Sequence, residues 1–230
     1  MFSNYLTIAL RNLLRHKLYT LINLSGLAIG LASCIIALAI FYHEYSYDRF
    51  HPTGDRIYRV LRERISNDKK QVRWLTSGAL ARTLEAEIPE VEYATKNRIY
   101  NMAIQYKDRT LMLAQGHVDK HFFKIFNFPT ARGNLDQLAQ PYHIAITERA
   151  AQRLLGSENP IGKVITIRER YYAGDYTICA VIKTPSSSSS LRFDMLHQTM
   201  ERAENAVYDW NNWQGRVQNA GIETFVRLRP

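Results

Sequence analysis

Cysteine is nearly absent from this 230-residue sequence, which holds only Cys34 and Cys179. The first lies inside a long apolar stretch and the second inside a separate apolar run, so no disulfide geometry can join them. A disulfide framework is thereby excluded, and the fold must rest on its core. The seven histidines show no ligand spacing with those cysteines, which removes the common zinc patterns.

Catalytic signatures are lacking too. His43-Glu44 opens like a zinc-protease motif, but Tyr47 stands where the second histidine belongs. No serine sits in a G-x-S-x-G elbow. The stretch from Gly156 to Gly162-Lys163 mimics a phosphate-binding loop and fails it. Five residues separate the glycines instead of four, Val164 replaces the Mg²⁺-binding Ser/Thr, and the stretch follows a helical pattern instead of a strand. A turn through Asn159-Pro160 and Gly162 fits better. The residues offer no enzyme chemistry and call for no cofactor or metal.

Long runs of one charge are missing as well. Formal charge is +9, yet signs alternate, as in Arg62, Glu63, Arg64 and Arg168, Glu169, Arg170. That pattern fits a solvated surface and gives no nucleic-acid footprint. The mean hydropathy of −0.29 fits a mostly water-soluble protein with one greasy segment.

That segment is Tyr19 to Tyr42, 24 residues without a charge. As a helix it reaches about 36 Å, enough to cross a hydrocarbon core of ~30 Å with some tilt. Arg11, Arg15 and Lys17 precede it closely, and Glu44 and Asp48 follow it. Lys/Arg bias therefore predicts a cytoplasmic N-terminus, a transmembrane helix over 19–42, and an extracytoplasmic domain over 43–230. The apolar core is too long for a cleaved signal peptide. Leu31-Ala32-Ser33-Cys34 resembles a lipoprotein box, but the apolar run continues past its cysteine. Asn23-Leu24-Ser25 is a glycosylation triplet only in form, since it lies within the membrane.

Over 1–18, Phe2, Leu6, Leu10, Leu13 and Leu14 share one helical face, and Asn4, Arg11, Asn12 and Arg15 share another. A basic amphipathic helix of this kind lies at the membrane interface, with Arg11, Arg15 and Lys17 toward the cytoplasm. The alternative is a helical extension of the span. Inside the span, Gly26, Gly30, Ser33 and Ala37 form a stripe of small residues, the kind of face on which helices pack in lipid. Tyr42, Tyr45, Tyr47 and Phe50 then supply an aromatic belt at the exit.

The later chain mixes two periodicities. Strands are predicted over 57–65 and 71–75 around a turn at Asn67-Asp68, then a helix capped by Thr76 or Ser77 and running through Ile88 to Pro89. Long strands over 92–106 and 109–117 meet at Lys107-Asp108. Asp119 caps a short helix, Val118 staples onto Phe123, and Phe122, Phe123 and Phe126 plug the core. His143 to Thr147 is a strand, Thr147 caps a helix to Leu155, and Gly156 stops it. Strands over 164–168 and 176–183 follow. Pro185 and Ser186 to Ser190 read as a flexible loop. Strands over 192–196 and 222–228 flank a looser segment with Trp210 and Trp213. The fold class is α+β. Ending at Pro230 directly after a strand, the domain reads as cut short.

Several stretches together resemble the N-terminus of FtsX/MacB-type ABC transporter permeases. They are Asn4-Tyr5-Leu6, Ala9 to Lys17, Asn23 to Gly30, Glu44 to His51, Asp55 to Val60, Val118-Asp119 with Phe122-Phe123, and Gly156 with Asn159 to Lys163. The resemblance runs in order to about Phe225. It implies a permease subunit with a MacB-like periplasmic core domain between its first and second transmembrane helices, in the inner membrane. It also implies a homodimeric or pseudo-dimeric permease, an ABC ATPase partner, a further periplasmic partner protein, and transmission of ATP-driven motion to the periplasmic domain. The later helices of that family, and the cytoplasmic loop that engages the ATPase, have no counterpart in these residues.

Two further readings compete. A single-span protein whose outer domain binds a partner without transport predicts no associated ATPase. A membrane-anchored enzyme has no catalytic constellation behind it.

Overall fold

The computed structural model describes residues 2–66, 69–168, 173–198 and 222–230. The chain divides into two units, Met1–Tyr47 and Asp48–Pro230. The turn expected at Asn67-Asp68 and the segment with Trp210 and Trp213 lie outside the described residues.

The first unit holds two helices: α1 spans Phe2–Arg15 and α2 spans Lys17–Tyr45. His16 separates them, its φ of −111° and ψ of 56° lying outside the helical region. Thr20 Oγ1 donates to the Leu13 carbonyl at 2.9 Å across that break. The basic segment is therefore a helix of its own and not a plain extension of the span. At 29 residues, α2 exceeds the uncharged run on both sides and reaches about 43 Å, the full thickness of a bilayer with its headgroups.

The second unit is built on strands β1 (Ile57–Arg59), β2 (Arg62–Ser66), β3 (Lys69–Arg73) and β4 (Leu75–Thr76), then helix α3 (Leu80–Glu87). Strands β5 (Val91–Tyr106) and β6 (Arg109–Val118) precede helix α4 (Phe122–Ile125). Next come β7 (Thr130–Gly133), β8 (His143–Thr147), helix α5 (Glu148–Leu155), β9 (Val164–Ile167) and β10 (Gly174–Ile182). β11 (Met195–Gln198) and β12 (Ile222–Leu228) complete the set.

One mixed sheet takes ten of these strands, in the order β1-β12-β5-β6-β11-β8-β10-β7. β4 pairs with β12, and β9 pairs with both β10 and β5, tying distant parts of the sheet together. The β5–β6 hairpin is its longest ladder, registered from Asn97↔Val118 to Tyr106↔Arg109. Its two-residue turn holds Lys107 at φ 50°, a left-handed position that short hairpin turns demand. β8, α5 and β10 form a parallel crossover. Thr147 accepts the Ala150 amide as the N-cap of α5, and Gly156 leaves it at φ 68°.

Each face of the sheet carries a core. On one, Met102, Ile104, Leu113, Ile144, Ile146, Ile178 and Met195 pack with Ala150, Ala151 and Leu154 of α5. On the other, Phe122, Phe126, Phe128, Phe193, Phe225 and Leu196 form an aromatic-rich core, with Val118 in the same cluster and Phe123 at its margin. Gly133 is required at the edge: its φ is +79°, and a Cβ there would press on the Cys179 carbonyl oxygen and Ile161.

Local expectations fail in four places. The strand expected over 57–65 is two strands: the Val60 amide still bonds Thr224 O of β12 at 2.9 Å, and from Arg62 the chain pairs with β3 instead. Thr76 and Ser77 do not cap α3, which starts from Ala79 without a side-chain cap. Thr76 is a buried strand residue whose hydroxyl lies 3.2 Å from Ile222 O and 2.6 Å from Thr224 Oγ1. The late strand is β11 at 195–198, displaced from 192–196. The N-cap of α4 is His121, without a side-chain bond, and not Asp119; Asp119 has another role. Its carboxylate takes the Thr95 hydroxyl at 2.6 Å, the Lys96 amide at 3.0 Å and the His121 amide at 3.0 Å, joining β5 to α4.

Candidate functional site

On α2, the positions of Gly26, Gly30, Ser33 and Ala37 share one face by helical spacing. A Cβ added at Gly26 or Gly30 would meet nothing within 4 Å, so the stripe is open. Ser33 donates its hydroxyl to the Ile29 carbonyl at 2.8 Å, which leaves no unsatisfied donor toward lipid. Arg11 and Arg15 are exposed on α1, and Lys17 is exposed at the start of α2. Both predicted groups of residues are exposed on their helices.

The residues that open the second unit are fastened. Asp48 takes φ 55°, donates its amide to Ser188 O at 2.9 Å and accepts the Ser190 amide on its carboxylate at 2.9 Å. Its own carbonyl accepts the His51 amide at 3.2 Å. His51 is buried, accepts the Asn127 amide at Nδ1 (3.1 Å), and packs its ring against Phe50, Phe126 and Phe128. Burial lowers the pKa of His51, opposed in part by the Asp48 charge, so the ring is held neutral against the aromatic core.

The serine-rich loop that receives Asp48 is correspondingly ordered. Ser189 is buried with its hydroxyl on Leu191 O at 3.0 Å, and Arg192 Nη2 donates to Ser187 O at 3.0 Å. Composition alone predicts flexibility here; Asp48 and Arg192 supply the partners that remove it.

A second polar group lies inside the sheet. Tyr100 Oη is 2.7 Å from His117 Nε2, the His117 and His197 rings meet edge-on at 4.1 Å, and Gln115 Nε2 bonds His197 Nδ1. Burial, with the charges of His197 and Arg98, puts His117 well below its usual range, and burial brings His197 down to about 4. Both are neutral near pH 7. No group of metal-ligating side chains exists among the described residues. The arrangement is a polar seam within the core.

The phosphate-loop mimic is a turn. The Gly162 amide donates to Ile178 O at 2.9 Å, the Lys163 amide to Pro160 O at 3.1 Å, and Lys163 Nζ reaches Glu158 at 3.3 Å. The amides and the lysine that would cradle phosphate are engaged within the protein.

A bilayer-length apolar helix followed by a mixed α+β domain defines the class, a helix-anchored sheet domain. Comparison makes it particular. The family profile of the MacB-like periplasmic core domain matches residues 20–230, and the chain belongs to that family, the periplasmic domain of MacB/FtsX-type ABC transporter permeases. The macrolide export ATP-binding/permease protein MacB of Burkholderia pseudomallei (strain 1710b) is 25% identical over 80% of this chain, which spans 28% of that protein. A domain of a protein described as a permease from Porphyromonas gingivalis has a similar structure, with TM-score 0.65 and 26% identity over 80% of this chain and 77% of that one. The extracellular domain of the ABC-type transporter YknZ from Gram-positive bacteria shares the fold at TM-score 0.55 and 11% identity, covering 76% of this chain and 84% of that one.

Sequence reasoning found α2. It missed the Asp48 fastening and the Tyr100–His117–His197 seam. For the seam, a signal was present in two histidines standing within apolar strand sequences, Gly116-His117-Val118 and Leu196-His197.

Proposed function

We propose that this chain is the N-terminal part of an ABC-transporter permease subunit of the inner membrane. Residues before α2 face the cytoplasm, and Asp48 onward forms the periplasmic domain. In this reading the functional division is 1–18 for the interfacial helix, 19–42 for the span and 43–230 for the periplasmic domain. ATP is hydrolysed by a partner ATPase subunit, and this chain contributes no catalysis. The stripe of Gly26, Gly30, Ser33 and Ala37 packs against further permease helices or a second permease copy, and Arg11, Arg15 and Lys17 hold the cytoplasmic face. The domain relays motion to export or to a periplasmic partner.

One observation carries this reading. α2 ends at Tyr45, and three residues later Asp48 is bonded to the serine loop on both its amide and its carboxylate. His51 adds a buried wedge. In this reading, motion of α2 reaches the domain through Asp48, three residues beyond the helix end in the sequence.

Affinity purification of the full-length gene product from its native membrane tests the proposal. An ABC ATPase subunit should co-purify with it. Recovery of a monomer without any ATPase overturns the reading in favour of a single-span binding module.

A further inference from the structure

His51 sits where the opening turn of the second unit meets its aromatic core. The turn is stepped: the His51 amide donates to Asp48 O at 3.2 Å, and the Gly54 amide donates to His51 O at 3.0 Å. The His51 ring is wedged among Phe50, Phe126 and Phe128, with ring centroids 4.0, 5.3 and 5.3 Å away. Asp48, at the head of the same turn, holds the serine loop through Ser188 and Ser190.

The hydrogen bonds fix the protonation of this ring. Nδ1 accepts the Asn127 amide at 3.1 Å, so the ring proton is on Nε2. Nε2 is buried and has no hydrogen-bond partner among the described residues. A second proton can enter only at Nδ1, where it would face the Asn127 N–H, donor against donor. Protonation therefore exchanges a hydrogen bond for a repulsion and puts a charge inside an aromatic core. The residues packed on the ring from the exit of α4 are Phe126, Asn127 and Phe128, none of which titrates. The charge that acts on the ring is Asp48, on its own turn, and it offsets burial only in part. The ring takes up the proton by leaving its slot.

We propose that His51 is an acid-operated latch: its protonation expels the ring from among Phe50, Phe126 and Phe128 and frees the Asp48 turn from the serine loop. The seated ring holds its proton less well than a free histidine, whose value is 6.5. The latch is therefore fully closed above 6.5 and loosens as pH falls from there toward the lowered value of the seated ring. It lies wholly within the second unit and operates whether or not the chain is a permease. In the periplasmic setting proposed above, external acid is the signal.

Hydrogen–deuterium exchange of the full chain in detergent micelles, followed by mass spectrometry between neutral and mildly acidic pH and corrected for intrinsic exchange, tests this. Protection of the peptides carrying Asp48 and Ser190 should fall by up to about tenfold per pH unit once pH passes below the free-histidine value, while the β5–β6 ladder stays protected. His51→Asn keeps an acceptor oxygen and cannot titrate, so its serine-loop protection should be flat over that range. Asp48→Asn leaves His51 in place and removes the opposing charge, so the fall should extend to lower pH; this variant decides the matter should His51→Asn not fold. Serine-loop protection that ignores pH, that falls as steeply in His51→Asn, or that falls to the same extent in Asp48→Asn overturns the latch. Loss of the ladder over the same range overturns it too, by assigning the effect to global unfolding through His117 and His197.

Discussion

Asp48 and Ser190, 142 residues apart in the chain, are joined by a 2.9 Å hydrogen bond from the serine amide to the carboxylate. The bond closes the start of the second unit onto a loop that composition alone would leave loose. Asp48 also holds φ at 55°, a value that Asn and Gly accept and Ala resists. Asp48→Ala should therefore lower stability by about 1–3 kcal/mol. Asp48→Asn should cost less, since it keeps the conformation and an acceptor oxygen. Urea denaturation of the three proteins checks the order; equal midpoints would show that the bond contributes nothing.

The buried histidines make stability pH-dependent. His197 titrates near 6.5 when unfolded and at about 4 when folded. The unfolded chain therefore binds more protons across that interval, and stability falls as pH drops from 6.5 toward 4. The contribution of His197 is roughly 3 kcal/mol. His117, also held low and facing Tyr100, Arg98 and His197, acts in the same direction. Thermal melts from pH 7 to 4 should show this slope, and His197→Gln should flatten it. An unchanged slope in that variant contradicts the assignment.

At the sheet edge, Gly133→Ala places a methyl group against the Cys179 carbonyl oxygen at a φ of +79°. Both strain and collision act together, so a loss of about 2–4 kcal/mol is expected. Calorimetry of the variant is the check, with a shift below one degree as the contradicting result.

Gly30 stands on the open face of α2 with no neighbour near its Cα. In the full-length permease, Gly30→Leu should weaken helix association while the periplasmic domain melts as before. Crosslinking in native membranes reads the oligomeric state, and an unaltered pattern removes the stripe from the account.

Legibility from sequence followed the range of the forces involved. The Lys107-Asp108 turn, the Thr147 cap and the Gly156 stop obey rules spanning a few residues, and all three appear where expected. β7 escaped notice because Thr130 to Gly133 has little strand character alone; pairing with β10 makes it a strand. The order in Ser186 to Ser190 depends on Asp48, and Thr76 depends on Thr224, partners that no local pattern reveals. The His117–His197 contact joins β6 to β11 by parallel register, which sequence alone does not state. α2 was the most legible element, because uncharged length is itself the signal.

The proposal with the most at stake is that motion of α2 reaches the periplasmic domain through Asp48. A spin label on Asp108→Cys, in a Cys34→Ser background of the full-length permease reconstituted with its ATPase, measures this by the label-to-label distance across the permease dimer. The account predicts a change in that distance on adding ATP and vanadate, lost in Asp48→Ala while the ATPase stays bound. A distance that does not respond to nucleotide, or responds equally in Asp48→Ala, would contradict it.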